Sequence, residues 1–139
     1  MINKIKLSIV IVNFRTYPFL SRCLDSIYAS KLPKNAYEIL VVDNNSQDDS
    51  TLLIQKNYKK VRLLINRKNE GFAKANNRAI KKSQGEYVLT LNPDTILDKN
   101  TLSEMVRFME KNQHIGVSTY RVVLPNGQLD AASHRGFPT

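Results

Sequence analysis

A chain of 139 residues suits one compact domain. Its 42% hydrophobic and 24% charged content, with five glycines and five prolines, excludes disordered, collagen-like and low-complexity classes. The net charge of +9 is concentrated: residues 56–82 hold ten Lys and Arg against the single acid Glu70, and the remainder is neutral.

Such a field suits an anionic partner, whether nucleotide phosphates, nucleic acid or the negative cytoplasmic leaflet, and it also suits a plain solvated surface. The one cysteine, Cys23, cannot form an internal disulfide, and His114 and His134 are too far apart for a zinc pattern. A reducing compartment is expected. The amino-terminal apolar run covers only residues 7–12, far short of a signal core or a membrane span, so a cytoplasmic protein is expected.

In chain order, residues 7–12 (Leu-Ser-Ile-Val-Ile-Val) are a β-branched run and predict a strand buried on both faces. Phe19, Leu20, Cys23, Leu24, Ile27 and Tyr28 recur at spacings of three and four and predict a helix with one buried stripe. Residues 38–42 predict a second buried strand before Asp43, with Ser46 and Asp49 starting the next helix. A strand at 61–65, a small and basic helix at 72–83 ending at Gly85, and a strand at 87–91 follow. Thr101 and Glu104 have the spacing of a capping box for a helix carrying Leu102, Met105, Val106 and Met109. Residues 115–119 predict a fifth strand, and Pro125-Asn126-Gly127 a tight turn between two short strands.

Strands alternating with helices predict an α/β fold, a mainly parallel sheet flanked by helices on both faces. Ligands of such sheets bind beyond the carboxyl ends of the strands, where strand order reverses. The residues just after each strand are therefore the candidates for function. No Gly-x-Gly-x-x-Gly follows the first strand and no Gly-Lys-Ser/Thr loop exists, so neither a dinucleotide fingerprint nor a P-loop is supported. Asp43 and Asp94 stand at predicted strand ends. There a carboxylate can accept a hydrogen bond from a base or ribose, or hold Mg2+ or Mn2+ that binds a diphosphate. Both also suit ordinary turns, in Asp-Asn-Asn-Ser and Asn-Pro-Asp.

Four segments taken together, Ser8 to Phe14, Val41 to Asp48, Asn69 to Asn77 and Gly85 to Thr95, resemble family 2 glycosyltransferases in order and spacing. The resemblance is strong over residues 7–95. It continues through Pro125-Asn126-Gly127 and His134-Arg135-Gly136-Phe137-Pro138-Thr139, which look like the rhamnosyltransferase-like branch using dTDP-sugars.

The resemblance implies a GT-A (Rossmann-like) fold and inverting transfer from a UDP- or dTDP-sugar to a glycan or lipid-linked acceptor. It implies that Asn13 and Phe14 border the base pocket and that Asp43 bonds the pyrimidine or ribose, with Asn69 and Gly71 beside the nucleotide. Asp94 matches the last carboxylate of the family's Asp-x-Asp metal motif, and Asn92 replaces the first, which weakens Mg2+ or Mn2+ binding until a diphosphate adds ligands. Arg67 and Lys68 are placed to assist that diphosphate or to act as surface charge. The family's catalytic base lies well beyond the metal motif, and of the late titratable residues Asp130 and His134 neither is assigned that role. The chain thus reads as one donor-binding domain truncated before the acceptor half.

Lys74, Arg78, Lys81 and Lys82 share a helix face and suggest peripheral contact with the inner face of the cytoplasmic membrane. An apolar patch left by a missing half suggests self-association into a homo-oligomer. A non-catalytic nucleotide-binding module of the same fold is the second reading. A basic nucleic-acid-binding domain, the third, lacks any recognised motif and has few aromatics in its basic stretch.

Overall fold

β1 (Leu7–Asn13) is buried along its whole length, as its uninterrupted apolar run requires. The computed structural model describes residues 4–131. β1 is followed by α1 (Tyr17–Tyr28), β2 (Tyr37–Asp43), α2 (Ser50–Asn57), β3 (Val61–Ile65), α3 (Phe72–Ile80), β4 (Tyr87–Leu91) and α4 (Thr101–Lys111). The strands form one parallel sheet in the order β3-β2-β1-β4. Strand order reverses between β1 and β4, so a crevice opens where those two strands end. The register sets Asn13 opposite Asp43 and Asp43 opposite Ile65, which aligns the carboxyl ends of three strands in one row.

Strand alternation divides the sheet between two apolar layers. Ile9, Ile11, Ile39 and Val41 face Leu20, Cys23, Leu24 and Ile27 of α1, Ile54 of α2, and Leu102 and Val106 of α4. Val10, Val12, Leu40 and Val42 face Ala75 and Ala79 of α3. The small residues of α3 let that helix lie close to the strands. Pro18 stands in the first turn of α1, where its missing N–H costs nothing.

The described residues cluster into two compact units that divide after Val106. In the second, Val123 and Leu129 form one antiparallel bridge around the Pro125-Asn126-Gly127 turn, with Gly127 at φ +82°. The turn is as expected, although the flanking strands shrink to that single bridge.

Several local expectations need correction. Residues 115–119 form no strand: they have no pairing partner among the described residues, and Val117 is 89% exposed. α3 stops at Ile80, and residues up to Ser83 continue as tighter turns through bonds from Lys82 N–H to Ala79 O and Ser83 N–H to Ile80 O. Asp49 alone occupies the position before α2, because Ser46 is engaged elsewhere. Phe19 leaves the buried stripe of α1 and is 55% exposed. The tail 132–139, including His134, lies outside the described residues.

Candidate functional site

A cleft of about 540 Å³ opens at the carboxyl ends of the strands, within the size range of small-ligand sites. Its polar lining comes from Thr16, Asn44, Asn69, Asn92 and Asp94, and Phe14, Phe19 and Phe72 supply aromatic walls. Of the residues expected at the site, Phe14, Asn69, Gly71, Asn92 and Asp94 converge here from loops after β1, β3 and β4. Asn13 and Asp43 stand behind the wall, at 0% and 2% exposure.

Those two organise the loops. Asp43 Oδ1 accepts from Asn13 Nδ2 at 2.8 Å and from the Ser46 hydroxyl at 2.5 Å, while Asp43 Oδ2 accepts the Ser46 backbone N–H at 3.0 Å. Ser46 Oγ also accepts from Asn13 Nδ2 at 3.1 Å and from the Arg15 N–H at 3.0 Å. Arg15 Nε bonds the Ser46 carbonyl at 3.1 Å, and its guanidinium lies 5.3 Å from the Phe14 ring centroid. These bonds hold Arg15, Asn45 and Gln47 at φ values of +57°, +67° and +55°. Such conformations are costly for Arg and Gln and persist only where the surroundings over-determine them. The strain gathers at the sheet's ligand edge.

Gly71 precedes α3 at φ +80° and ψ 167°, a region essentially reserved for glycine. No described atom comes within 4 Å of where a Cβ would stand, so backbone conformation and not crowding demands glycine. Under the cleft, the Cys23 thiol donates to the Asn92 carbonyl at 3.8 Å. Burial, reinforced by the Asp94 carboxylate, pushes this thiol up to about 12.

The donor set for a divalent cation is one carboxylate, Asp94, and one amide carbonyl, Asn92. No group of three His, Cys, Asp or Glu gathers among the described residues. That set fits an ion of the Mg2+ type, which commonly takes one or two carboxylates and completes its shell from substrate phosphates and water. Arg67 and Lys68 are exposed and do not line the cleft. Thr16 and Phe19 escaped sequence reasoning as site residues. Only their places after strand ends, or in the helix that follows one, could have signalled them.

The family model for glycosyl transferase family 2 matches residues 8–136. The chain belongs to glycosyl transferase family 2. Within the family, a poly(ribitol-phosphate) beta-glucosyltransferase of Bacillus spizizenii is 34% identical over 137 residues, covering 96% of this chain and 20% of the relative. The poly(ribitol-phosphate) beta-N-acetylglucosaminyltransferase TarS of Staphylococcus aureus is 26% identical, covering 88% and 22%. A crystal structure of S. aureus TarS 1-349 in complex with UDP-GlcNAc superposes with a TM-score of 0.73 at 26% identity, covering 78% of this chain and 32% of that one.

The fold is thus the GT-A fold of this glycosyltransferase family, and the chain spans about a fifth of the length of the curated relatives it matches. These relatives, a glucosyltransferase and an N-acetylglucosaminyltransferase, lend no support to the rhamnosyltransferase-like branch.

Proposed function

We propose that this chain is the donor-binding part of an inverting glycosyltransferase that uses a UDP- or dTDP-sugar and a cell-envelope glycan or lipid-linked acceptor. One observation carries the reading: five residues expected at the donor site from separate motifs, Phe14, Asn69, Gly71, Asn92 and Asp94, line a single cleft at the switch point of the sheet. The TarS structure in complex with UDP-GlcNAc supports a uridine donor. The names of the two relatives favour a polyol-phosphate polymer as the acceptor class.

In this reading Phe14, with Phe19 and Phe72, walls the base and excludes water from it. Asn13 and Asp43 act from behind, holding the Phe14–Arg15 turn, and Asp43 Oδ2 keeps acceptor capacity for a ribose or base donor. Asn69 and Gly71 flank the nucleotide, where the bare glycine backbone admits a close approach. Asp94 and Asn92 would hold Mg2+ or Mn2+, which would supply neutralisation of the charge on a leaving nucleoside diphosphate. The general base is assigned to no described residue; Asp130 stands in the second unit beside the Val123–Leu129 bridge.

Peripheral membrane contact through residues 56–82 and a homo-oligomer are not supported. Lys74, Lys81 and Lys82 are exposed, but Arg78 is half-buried and bonded to the Ile65 carbonyl. No helix among the described residues is long and apolar enough to cross a membrane.

Calorimetric titration of UDP and dTDP, with and without Mn2+, tests the assignment. We expect metal-dependent binding that is lost in Asp94→Ala, and binding weakened with or without metal in Asp43→Ala. Absence of binding to either nucleotide under all conditions would overturn it.

A further inference from the structure

Along one wall of the cleft, three asparagines from two loops form a continuous line of amide hydrogen bonds that begins at a guanidinium. Arg78 of α3 donates through Nη1 to the Ile65 carbonyl at 2.8 Å and to the side-chain oxygen of Asn66. Asn66 Nδ2 donates to Asn44 Oδ1 at 2.9 Å, and the Glu70 N–H meets the same oxygen at 3.0 Å. Asn44 Nδ2 donates to Asn69 Oδ1 at 2.8 Å, and that oxygen also accepts the Gly71 N–H at 2.9 Å. Asn44 and Asn66 are 2% and 4% exposed, so the middle of the line is shielded from water.

The direction of every bond is fixed. Arginine and backbone N–H groups donate and never accept. Asn66 must therefore turn its oxygen to Arg78 and its nitrogen to Asn44. Asn44 must turn its oxygen to Asn66 and Glu70 and its nitrogen to Asn69. The Asn69 oxygen is engaged twice, which leaves Asn69 Nδ2 as the terminal donor, without a partner among the described residues. Asn44 and Asn69 line the cleft and Arg78 does not.

We propose that Arg78 is a positioning residue for the nucleotide: through Asn66 and Asn44 it holds the 69–71 turn so that Asn69 presents an amide donor to an acceptor oxygen of the bound ligand. The proposal rests on the donor-binding reading of the cleft. It also reassigns Arg78, which helix spacing had placed on a basic outer face with Lys74, Lys81 and Lys82.

The experiment uses UDP as probe, with Mn2+, and compares wild type with Arg78→Met, Arg78→Lys and Lys74→Met. Lys74 is exposed on the same helix and removes an equal charge. Calorimetry reads UDP affinity, and NMR hydrogen exchange reads the Glu70 and Gly71 amides. We expect Arg78→Met to weaken UDP about fivefold, the worth of one hydrogen bond. Exchange at Glu70 and Gly71 rises about tenfold, while the amides of Val10 and Val12 are unchanged. Arg78→Lys, which can still donate to one of the two oxygens, recovers part of both effects, and Lys74→Met alters neither. In an Asn44→Ala background, Arg78→Met adds no further loss.

Unchanged UDP affinity in Arg78→Met overturns the proposal, even if the two amides exchange faster. An equal loss in Lys74→Met also overturns it, since charge alone would then be acting. If Arg78→Met does not fold, the same comparison is decided between Arg78→Lys, expected to weaken UDP, and Lys74→Met. If wild type binds no UDP, the donor reading fails, and the relay to the 69–71 turn stands or falls on the exchange of Glu70 and Gly71.

Discussion

The Ser46 hydroxyl is used to its full capacity, giving one hydrogen bond to Asp43 and accepting two, from Asn13 and Arg15. Its removal leaves a buried amide nitrogen and a strained backbone N–H short of a partner. Ser46→Ala is expected to destabilise the fold by about 2 kcal/mol, measured by urea unfolding, and to weaken UDP binding through the loosened turn at Arg15. Sequence reasoning placed Ser46 at the start of a helix because Ser is a turn former followed by an apolar pattern. What it could not contain is the Asn13 amide, 33 positions earlier, which is brought opposite Asp43 by strand register. The same limit explains Arg78: spacing along a helix names its face, but the neighbour of that face depends on where α3 meets β3. That Gly71, Asn92 and Asp94 line the cleft was legible, because their motifs are local and follow strand ends.

At the scale of elements, the strands were the most legible part, since β1 and β2 are continuous apolar runs that only a doubly covered strand can bury. Residues 115–119 carry a similar composition without a partner, and composition alone does not supply a hydrogen-bonding edge. The joint between α3 and β4 is tighter than its sequence suggests. A Cβ on Gly85 would stand 2.5 Å from the Ser8 backbone nitrogen and 2.8 Å from the Leu7 carbonyl carbon. Neither is a flexible side-chain end, so β4 would have to move away from β1. Gly85→Ala is expected to cost about 3 kcal/mol, visible as a lower urea midpoint, whereas Gly116→Ala, where a Cβ meets nothing, should leave the midpoint within about 0.5 kcal/mol of wild type.

Over the whole molecule, the sheet is tied by polar groups at both ends. At the amino end, Glu38 joins all four strand regions: Oε1 accepts from Ser8 Oγ at 2.7 Å and from the Gln84 N–H at 2.6 Å, and Oε2 pairs with Arg62 at 2.5 Å. Burial acts to raise this carboxyl, but the bonds from Ser8, Gln84 and Arg62, with the guanidinium charge, outweigh it and hold the group below the ordinary glutamate range. The ionised form therefore favours the fold. Its contribution is full above about pH 4.3 and is lost as pH falls through the lower folded value. Glu38→Gln is expected to be about 1–2 kcal/mol less stable at pH 7, with its deficit in melting temperature constant down to about pH 5 and closing below about pH 4. A deficit that persisted at pH 3 would show that shape, and not charge, sets the role of Glu38.

Cys23 adds a built-in clock. It is the only thiol in 139 residues, it lies at 0% exposure against the carbonyl of Asn92, and at neutral pH it stays protonated and unreactive. A maleimide can therefore react with it only during the moments when the floor of the cleft lifts, so labelling counts those openings in the unmodified chain. Nucleotide seated on Asn92 and Asp94 is expected to slow the labelling about tenfold, followed by mass spectrometry. Equal rates with and without UDP and Mn2+ would mean that the floor breathes independently of the ligand above it.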